Sequence, residues 1–260
     1  MSTKTAAFFL LLATRTIAQT NSSSETLTNV TQAFSDGRVV PDVLESFNPT
    51  VLLDVVFTDS SMQTVNVTPG VNLTMQQTAN EPQFFLKPPN GMLQTDSQYV
   101  VAIVDPDAPT PQNTSISQFR HFLGGHFQLN ASTSLLTNMS AALSDFVPPT
   151  PPDGSDPHRY VAVVYSQPQG FDASATPLVN ASTPRTNFNL SMFAQSVGLG
   201  NPIAGNFFLT GPSSNGSGSG DASQTGSAGS ATPTNGASSV AAGRGTVGLL
   251  IFTILVTEFY

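Results

Sequence analysis

Short apolar runs, each closed by turn residues, set the rhythm of the middle of the chain. Val51-Leu52-Leu53-Asp54-Val55-Val56-Phe57 is the first convincing strand. Val65 and Val67 before Pro69-Gly70, then Phe84-Phe85-Leu86 before Pro88-Pro89-Asn90-Gly91, continue the pattern. Tyr99-Val100-Val101-Ala102-Ile103-Val104 is rich in β-branched residues and ends where Pro106 and Pro109 remove backbone donors. Val161-Ala162-Val163-Val164-Tyr165 is a similar run, entered through Pro157-His158-Arg159-Tyr160. One segment has another period. Phe188, Met192, Phe193 and Val197 recur near 3.6 residues, which predicts an amphipathic helix over residues 189–197 that buries this stripe and stops at Gly198. Residues 34–44 read as a lead-in with turns at Gly37 and Pro41. The whole predicts a mainly β domain with a late helix.

The two ends differ from this domain. Lys4, the run Ala6-Ala7-Phe8-Phe9-Leu10-Leu11-Leu12-Ala13 and the small residues before Gln19 read as a secretory signal over residues 1–18. The apolar run is shorter than the about 20 residues that span a bilayer. Residues 19–33 form a polar N-terminal segment and residues 34–212 the folded domain. Residues 213–239 are Ser, Gly, Ala, Thr and Asn with almost nothing to bury, so a flexible stalk is expected. Residues 240–260 carry a short apolar tail with Glu258 near its end, and Asn235-Gly236-Ala237 stand upstream at the spacing of a glycolipid-anchor signal. Cleavage and anchoring are expected at Asn235. Behind a signal, the Asn-x-Ser/Thr sequons become glycosylation sites and place their asparagines on the surface: Asn66, Asn72, Asn113, Asn130, Asn138, Asn180 and Asn189, with Asn21 and Asn29 before them.

Composition narrows the function. The formal net charge is -8 and the few Lys and Arg are scattered, so no basic patch for nucleic acid is visible. Cysteine is absent, which excludes a disulfide framework, a thiolate zinc site and a cysteine nucleophile. No Gly-x-Ser-x-Gly elbow lies within the folded region, and no tight metal-ligand spacing such as His-Glu-x-x-His occurs.

The chemistry gathers at two polar stations. Asp105 and Asp107 end the first buried strand in Asp105-Pro106-Asp107-Ala108-Pro109, with His121 shortly after; His158 and Tyr160, two apart, share one face at the start of the second strand. If these strands are neighbours, two carboxylates, two imidazoles and a phenol converge. Two carboxylates held stiffly between prolines suit the frame of a pocket better than an acid/base pair, and Asp107 by itself is expected to close its turn with an Asx-type bond.

These residues carry a resemblance. Asp-Pro-Asp-Ala-Pro, His121-Phe122-Leu123, and Pro-His-Arg-Tyr-Val before a strand ending in Tyr165 resemble both signature regions of the phosphatidylethanolamine-binding proteins, which include plant flowering regulators and a yeast carboxypeptidase inhibitor. Val40-Pro41-Asp42-Val43-Leu44 upstream, with Phe193 to Gly200 and Ala204 to Leu209 downstream, extend the likeness, and the chain looks like a secreted, fungal-type member. The resemblance implies a central antiparallel sheet, a smaller second sheet and peripheral helices. It also implies that Asp105, Asp107, His121, His158 and Tyr160 surround a small anion pocket. There Asp105 orients a histidine, and the histidines donate to a phosphate, carrying charge when both ring nitrogens donate. Pro148 stands where the family places a glycine whose N–H faces the anion, and proline has none to give. Arg120 precedes His121 where a second histidine is usual; it either adds a positive charge near the pocket mouth or faces solvent, the commoner fate of an arginine.

The expected function is therefore a non-catalytic, monomeric cell-surface protein that binds an anionic small molecule or phospholipid head group. It needs no cofactor or metal, and meets the membrane only through its glycolipid anchor. Two alternatives stand beside it: inhibition of a serine carboxypeptidase or other peptidase, and a structural role in the cell wall.

Overall fold

The computed structural model describes residues 25–88 and 97–213. The signal, the stalk, the tail and the anchor site Asn235 lie outside the described residues. The described elements, in chain order, are α1 (Leu27–Asp36), α2 (Val39–Asp42), β1 (Leu52–Thr58), β2 (Thr64–Asn66), β3 (Val71–Leu73), β4 (Gln83–Lys87), β5 (Gln98–Asp105), β6 (Phe119–Leu129), β7 (Leu136–Asn138), β8 (His158–Ser166), α3 (Phe171–Ala175), α4 (Leu190–Ser196) and β9 (Ala204–Thr210). No helix among these residues is long and apolar enough to cross a membrane.

The small sheet has the order β2-β1-β4 and the main sheet β3-β9-β8-β5-β6-β7. Strands β5 and β8 are central and buried on both faces, which explains their unbroken apolar runs; β1, covered on one face, alternates. The main sheet is antiparallel except at one edge, where β3 runs parallel to β9. The centre of the sheet is antiparallel as expected, and the parallel pair is an addition at its edge. No hairpin joins two strands so distant in the chain, so nothing local imposes their relative direction; Gly70 N–H donates to Phe207 O at 2.8 Å and sets the pairing.

One core lies between the main sheet and the helices, the other between the two sheets. Asn206, itself buried, links the sheets: its Nδ2 donates to Leu53 O and Val67 O, both at 3.0 Å. On the helical side, α1 starts within the segment taken as polar and begins the folded unit ahead of residue 34. Thr26 caps it by accepting from Asn29 N–H at 3.2 Å. Val30 and Phe34 point inward, and Phe34 stacks on Phe47 at 4.0 Å between ring centroids and meets Phe207 edge-on at 5.6 Å. Burial of such a side chain contributes about 1.5–3 kcal/mol. A Cβ on Gly205 would lie 2.8 Å from Phe34 Cζ, so glycine is what lets α1 settle on β9.

Helix α4 has the expected place, with Asn189 as its cap (Oδ1 accepting from Met192 N–H at 2.9 Å) and Gly198 at φ +71° beyond it. Its buried stripe is Leu190, Phe193, Ala194 and Val197, spaced i, i+3, i+4, i+7. Phe188 is buried just ahead of it, but Met192 is 64% exposed, one position off the stripe. Of the sequon asparagines, Asn66, Asn72, Asn113, Asn130 and Asn189 are exposed, and Asn138 and Asn180 half-buried.

Candidate functional site

Strands β5 and β8 are direct neighbours, pairing Val104 with Val161. The turn after β5 and the start of β8 therefore share one end of the main sheet. His121 reaches the same place through an irregularity in β6: Ile103 pairs with Phe122 and Val104 with Arg120, which leaves His121 as the extra residue of a bulge. Its ring turns to the side of the small sheet, 5.0 Å from the Tyr160 ring and 4.8 Å from Phe119.

Asp105 is the hub. Its Oδ2 accepts from His158 Nδ1–H at 2.8 Å and lies 4.0 Å from His121 Nε2. Its Oδ1 accepts from Asp107 N–H at 2.7 Å. The Asx bond that closes this turn is thus made by Asp105, which corrects the role expected of Asp107. Asp107 instead turns away to hold Arg159, accepting from its Nε at 2.9 Å, its Nη2 at 2.7 Å and its backbone N–H at 2.8 Å. Arg159 also donates to Asp42 Oδ2 at 2.9 Å and to Gly37 O at 3.0 Å, tying β8 to the α1–α2 turn. Those two carboxylates hold its guanidinium well above its usual pKa despite burial. Asp107 therefore faces a separate cleft, about 990 Å³, lined also by Arg38, Asp42, Arg159 and Phe207.

Ser155, three residues before His158 in the turn that leads into β8, was not singled out by sequence. Its hydroxyl donates to Asp156 O at 2.8 Å and sits 2.9 Å from His158 Nε2. With its one hydrogen on that carbonyl, the hydroxyl turns its oxygen lone pairs toward Nε2.

His121 makes a different set of contacts. Its Nδ1–H donates to Val147 O at 2.6 Å, and burial lowers its pKa against the smaller opposing effects of that bond and of Asp105. Nε2 is left with a free lone pair. Tyr160 is buried and holds its proton, its pKa pushed far up by burial and then by Asp105 and Asp107, and its hydroxyl makes no hydrogen bond among the described residues. Two unpartnered polar groups, an acceptor and a donor, thus stand beside the hydrogen-bonded Asp105–His158 pair. The place is polar, and burial works against a positive charge on His121. Half-buried Pro148 directly follows Val147, whose N–H and C=O both bond to His121, so the proline-rich segment braces this ring. Among the described residues no group of three His, Asp or Glu is arranged to hold a metal ion.

Arg120, expected near the pocket mouth or in solvent, is 2% exposed on the other face of β6. Its guanidinium lies under residues 183–185, donating to Thr183 O and Pro184 O at 3.3 Å each, and 4.9 Å above the Phe188 ring.

The sequence model of "Phosphatidylethanolamine-binding protein" matches residues 56–208, more than half of the chain. The chain belongs to the phosphatidylethanolamine-binding protein family. It is 31% identical over 179 residues to the 26 kDa secreted antigen of Toxocara canis, covering 67% of this chain and 62% of that protein. It is 30% identical over 162 residues to the carboxypeptidase Y inhibitor of Saccharomyces cerevisiae, covering 52% of this chain and 72% of the inhibitor. The fold is also that of the carboxypeptidase Y inhibitor in the crystal structure with its cognate proteinase, with a TM-score of 0.62 at 23% identity over 74% of this chain and all of that one. Membership in the phosphatidylethanolamine-binding protein family accounts for the two-sheet architecture and for both signature regions meeting at one sheet end.

Proposed function

We propose that this chain is a secreted, non-catalytic binding protein, anchored through Asn235, whose Asp105–His158–His121–Tyr160 site takes a phosphate-bearing head group. The observation that carries the reading is the pairing of an unpartnered acceptor, His121 Nε2, with an unpartnered donor, the Tyr160 hydroxyl, beside Asp105. A bare dianion would offer His121 nothing and would face the Asp105 carboxylate. A guest that brings its own donor suits the site: a P–OH, or the ammonium of an ethanolamine phosphate, donating to His121 Nε2 while a phosphate oxygen accepts from Tyr160. The signal, the surface sequons and the resemblance to a protein named a secreted antigen support the extracellular setting.

The test is calorimetric titration with phosphoethanolamine and with short-chain phosphatidylethanolamine. Binding of phosphoethanolamine is expected to weaken as pH rises past about 6, where a phosphate monoester loses its second proton, and to be lost in Tyr160→Phe combined with His121→Asn. No heat at pH 5 or pH 8 from either probe overturns the reading.

A second reading, peptidase inhibition, is favoured by the likeness to the carboxypeptidase Y inhibitor. Inhibition of a serine carboxypeptidase that survives His158→Ala assigns it to a surface away from the pocket; absence of inhibition removes it.

A further inference from the structure

Five cationic side chains lie among the described residues: Arg38, Lys87, Arg120, Arg159 and Arg185. Three are paired with carboxylates: Arg38 with Asp42, Lys87 with Asp54, and Arg159 with Asp107 and Asp42. Arg120 and Arg185 have no carboxylate within 4.0 Å among the described residues, and they stand together in a protein of net charge -8. Solvent does not replace the missing partner of Arg120. Its terminal nitrogens make only long bonds of 3.3 Å, to Pro184 O, Thr183 O and Thr183 Oγ1, and its buried Nε has no partner among the described residues. Burial, and next the charge of Arg185, lower its pKa to about 10, so both desolvation and repulsion are left standing.

The two guanidiniums line a cavity of about 290 Å³ together with Ser144, Asp145, Asn180 and Thr183. Ser144 is 6% exposed, and its hydroxyl makes no hydrogen bond among the described residues. Thr183 Oγ1 spends its hydrogen on Asn180 O at 2.7 Å, and Arg185 Nη1 donates to Arg120 O at 3.1 Å and to His121 O at 3.4 Å. What remains unspent at the cavity is the outer N–H groups of Arg185 and the Ser144 hydroxyl, with the charged Arg120 guanidinium beside them, its Nε sealed away from the cavity. These groups come from three separate segments, an arrangement that suits the spread oxygens of a tetrahedral anion better than a flat carboxylate. Asp145 is the one acidic residue on the lining and leaves the cavity net positive.

We propose that this cavity is a second anion site, which takes a sulfate or phosphate group between Arg120, Arg185 and Ser144. It lies on the helical face of β6, while His121 and the site above lie on the face toward the small sheet. The two differ in chemistry. Sulfate has no proton to give at neutral pH, so it cannot satisfy His121 Nε2, but it needs none here.

The experiment is a titration of the full chain, produced in bacteria so that Asn180 bears no glycan, with sodium sulfate at constant ionic strength. It is followed through the arginine Nε–H resonances. Sulfate is expected to move the Arg120 and Arg185 signals to a plateau. Arg185→Gln should weaken binding about tenfold or more, as loss of a charged donor does, and Arg185→Lys should recover part of it. Tyr160→Phe with His121→Asn, which removes the first site, should leave the sulfate response unchanged. Inorganic phosphate run in parallel should bind in both backgrounds. A response that never saturates, or one that is the same in Arg185→Gln, overturns the proposal whatever becomes of the head-group site.

Discussion

Arg120 and His121 are neighbours in the chain, both nearly fully buried, and they end on opposite faces of the main sheet. Burial meets a different answer on each side. The imidazole can give up its proton, and desolvation drives it to do so, which leaves His121 neutral with a lone pair aimed toward Asp105. A guanidinium cannot discharge at neutral pH, so Arg120 keeps its charge and is met with carbonyl dipoles and the face of Phe188. The same step along one strand thus produces an acceptor on one face and an unmatched cation on the other. A charge that can leave makes a neutral recognition site; one that cannot makes a demand for a counter-ion.

The largest expected effect comes from making the two faces alike. Asp105→Ala removes the carboxylate from the His158 side, and at once the Asp107 N–H and the buried His158 ring lose their hydrogen-bond partner. A loss of roughly 2–5 kcal/mol is expected, because two buried groups are left unsatisfied. Urea unfolding measures it, and a loss below about 1 kcal/mol would show that Asp105 does not hold this end of the sheet together.

A smaller effect separates the two faces by pH. Because the folded pKa of His121 lies below the ordinary value of 6.5, the unfolded chain takes up this proton first as pH falls. The contribution of the neutral ring is complete above pH 6.5 and is lost as pH drops through the folded value. His121→Asn keeps a donor near Val147 O but does not titrate, so its stability should fall less than wild type between pH 7.5 and acid. Equal slopes for the two proteins would place the acid sensitivity elsewhere. The alkaline side is less direct. Arg120 should gain from deprotonation above about pH 10, but buried Tyr160 and Tyr165, whose pKa values are pushed up, favour unfolding over the same range.

How much of this was legible depended on whether a residue's fate is decided locally. Val100 to Val104 and Val161 to Val164 announce buried strands because both of their faces are covered, and the pairing of Asp105 with His158 follows once those strands are neighbours. Helix α1 hid behind Thr, Asn and Gln, although Leu27, Val30 and Phe34 already stand at i, i+3 and i+7. Asp107 could not be told from Asp105 as the residue closing the turn, since that choice is settled by Arg159 arriving from β8. Arg120 is buried by residues 183–185, some sixty positions away, so no local signal marks it. Ser155 was in plain view three residues before His158, and a Ser-x-x-His spacing in a turn was the cue to read.

The smallest expected effect concerns the segment that braces His121. Pro148→Gly changes two things of opposite sign. The added freedom of the unfolded chain should lower stability by about 0.4–1 kcal/mol, and the new backbone N–H adds a donor next to Val147, whose carbonyl already holds the ring. If that N–H reaches the head-group site, phosphoethanolamine should bind about tenfold more tightly, the worth of one hydrogen bond to a charged acceptor, while the sulfate response of the Arg120 cavity stays as it was. A variant that loses stability without gaining affinity would mean that the segment fixes the histidine but never touches the guest.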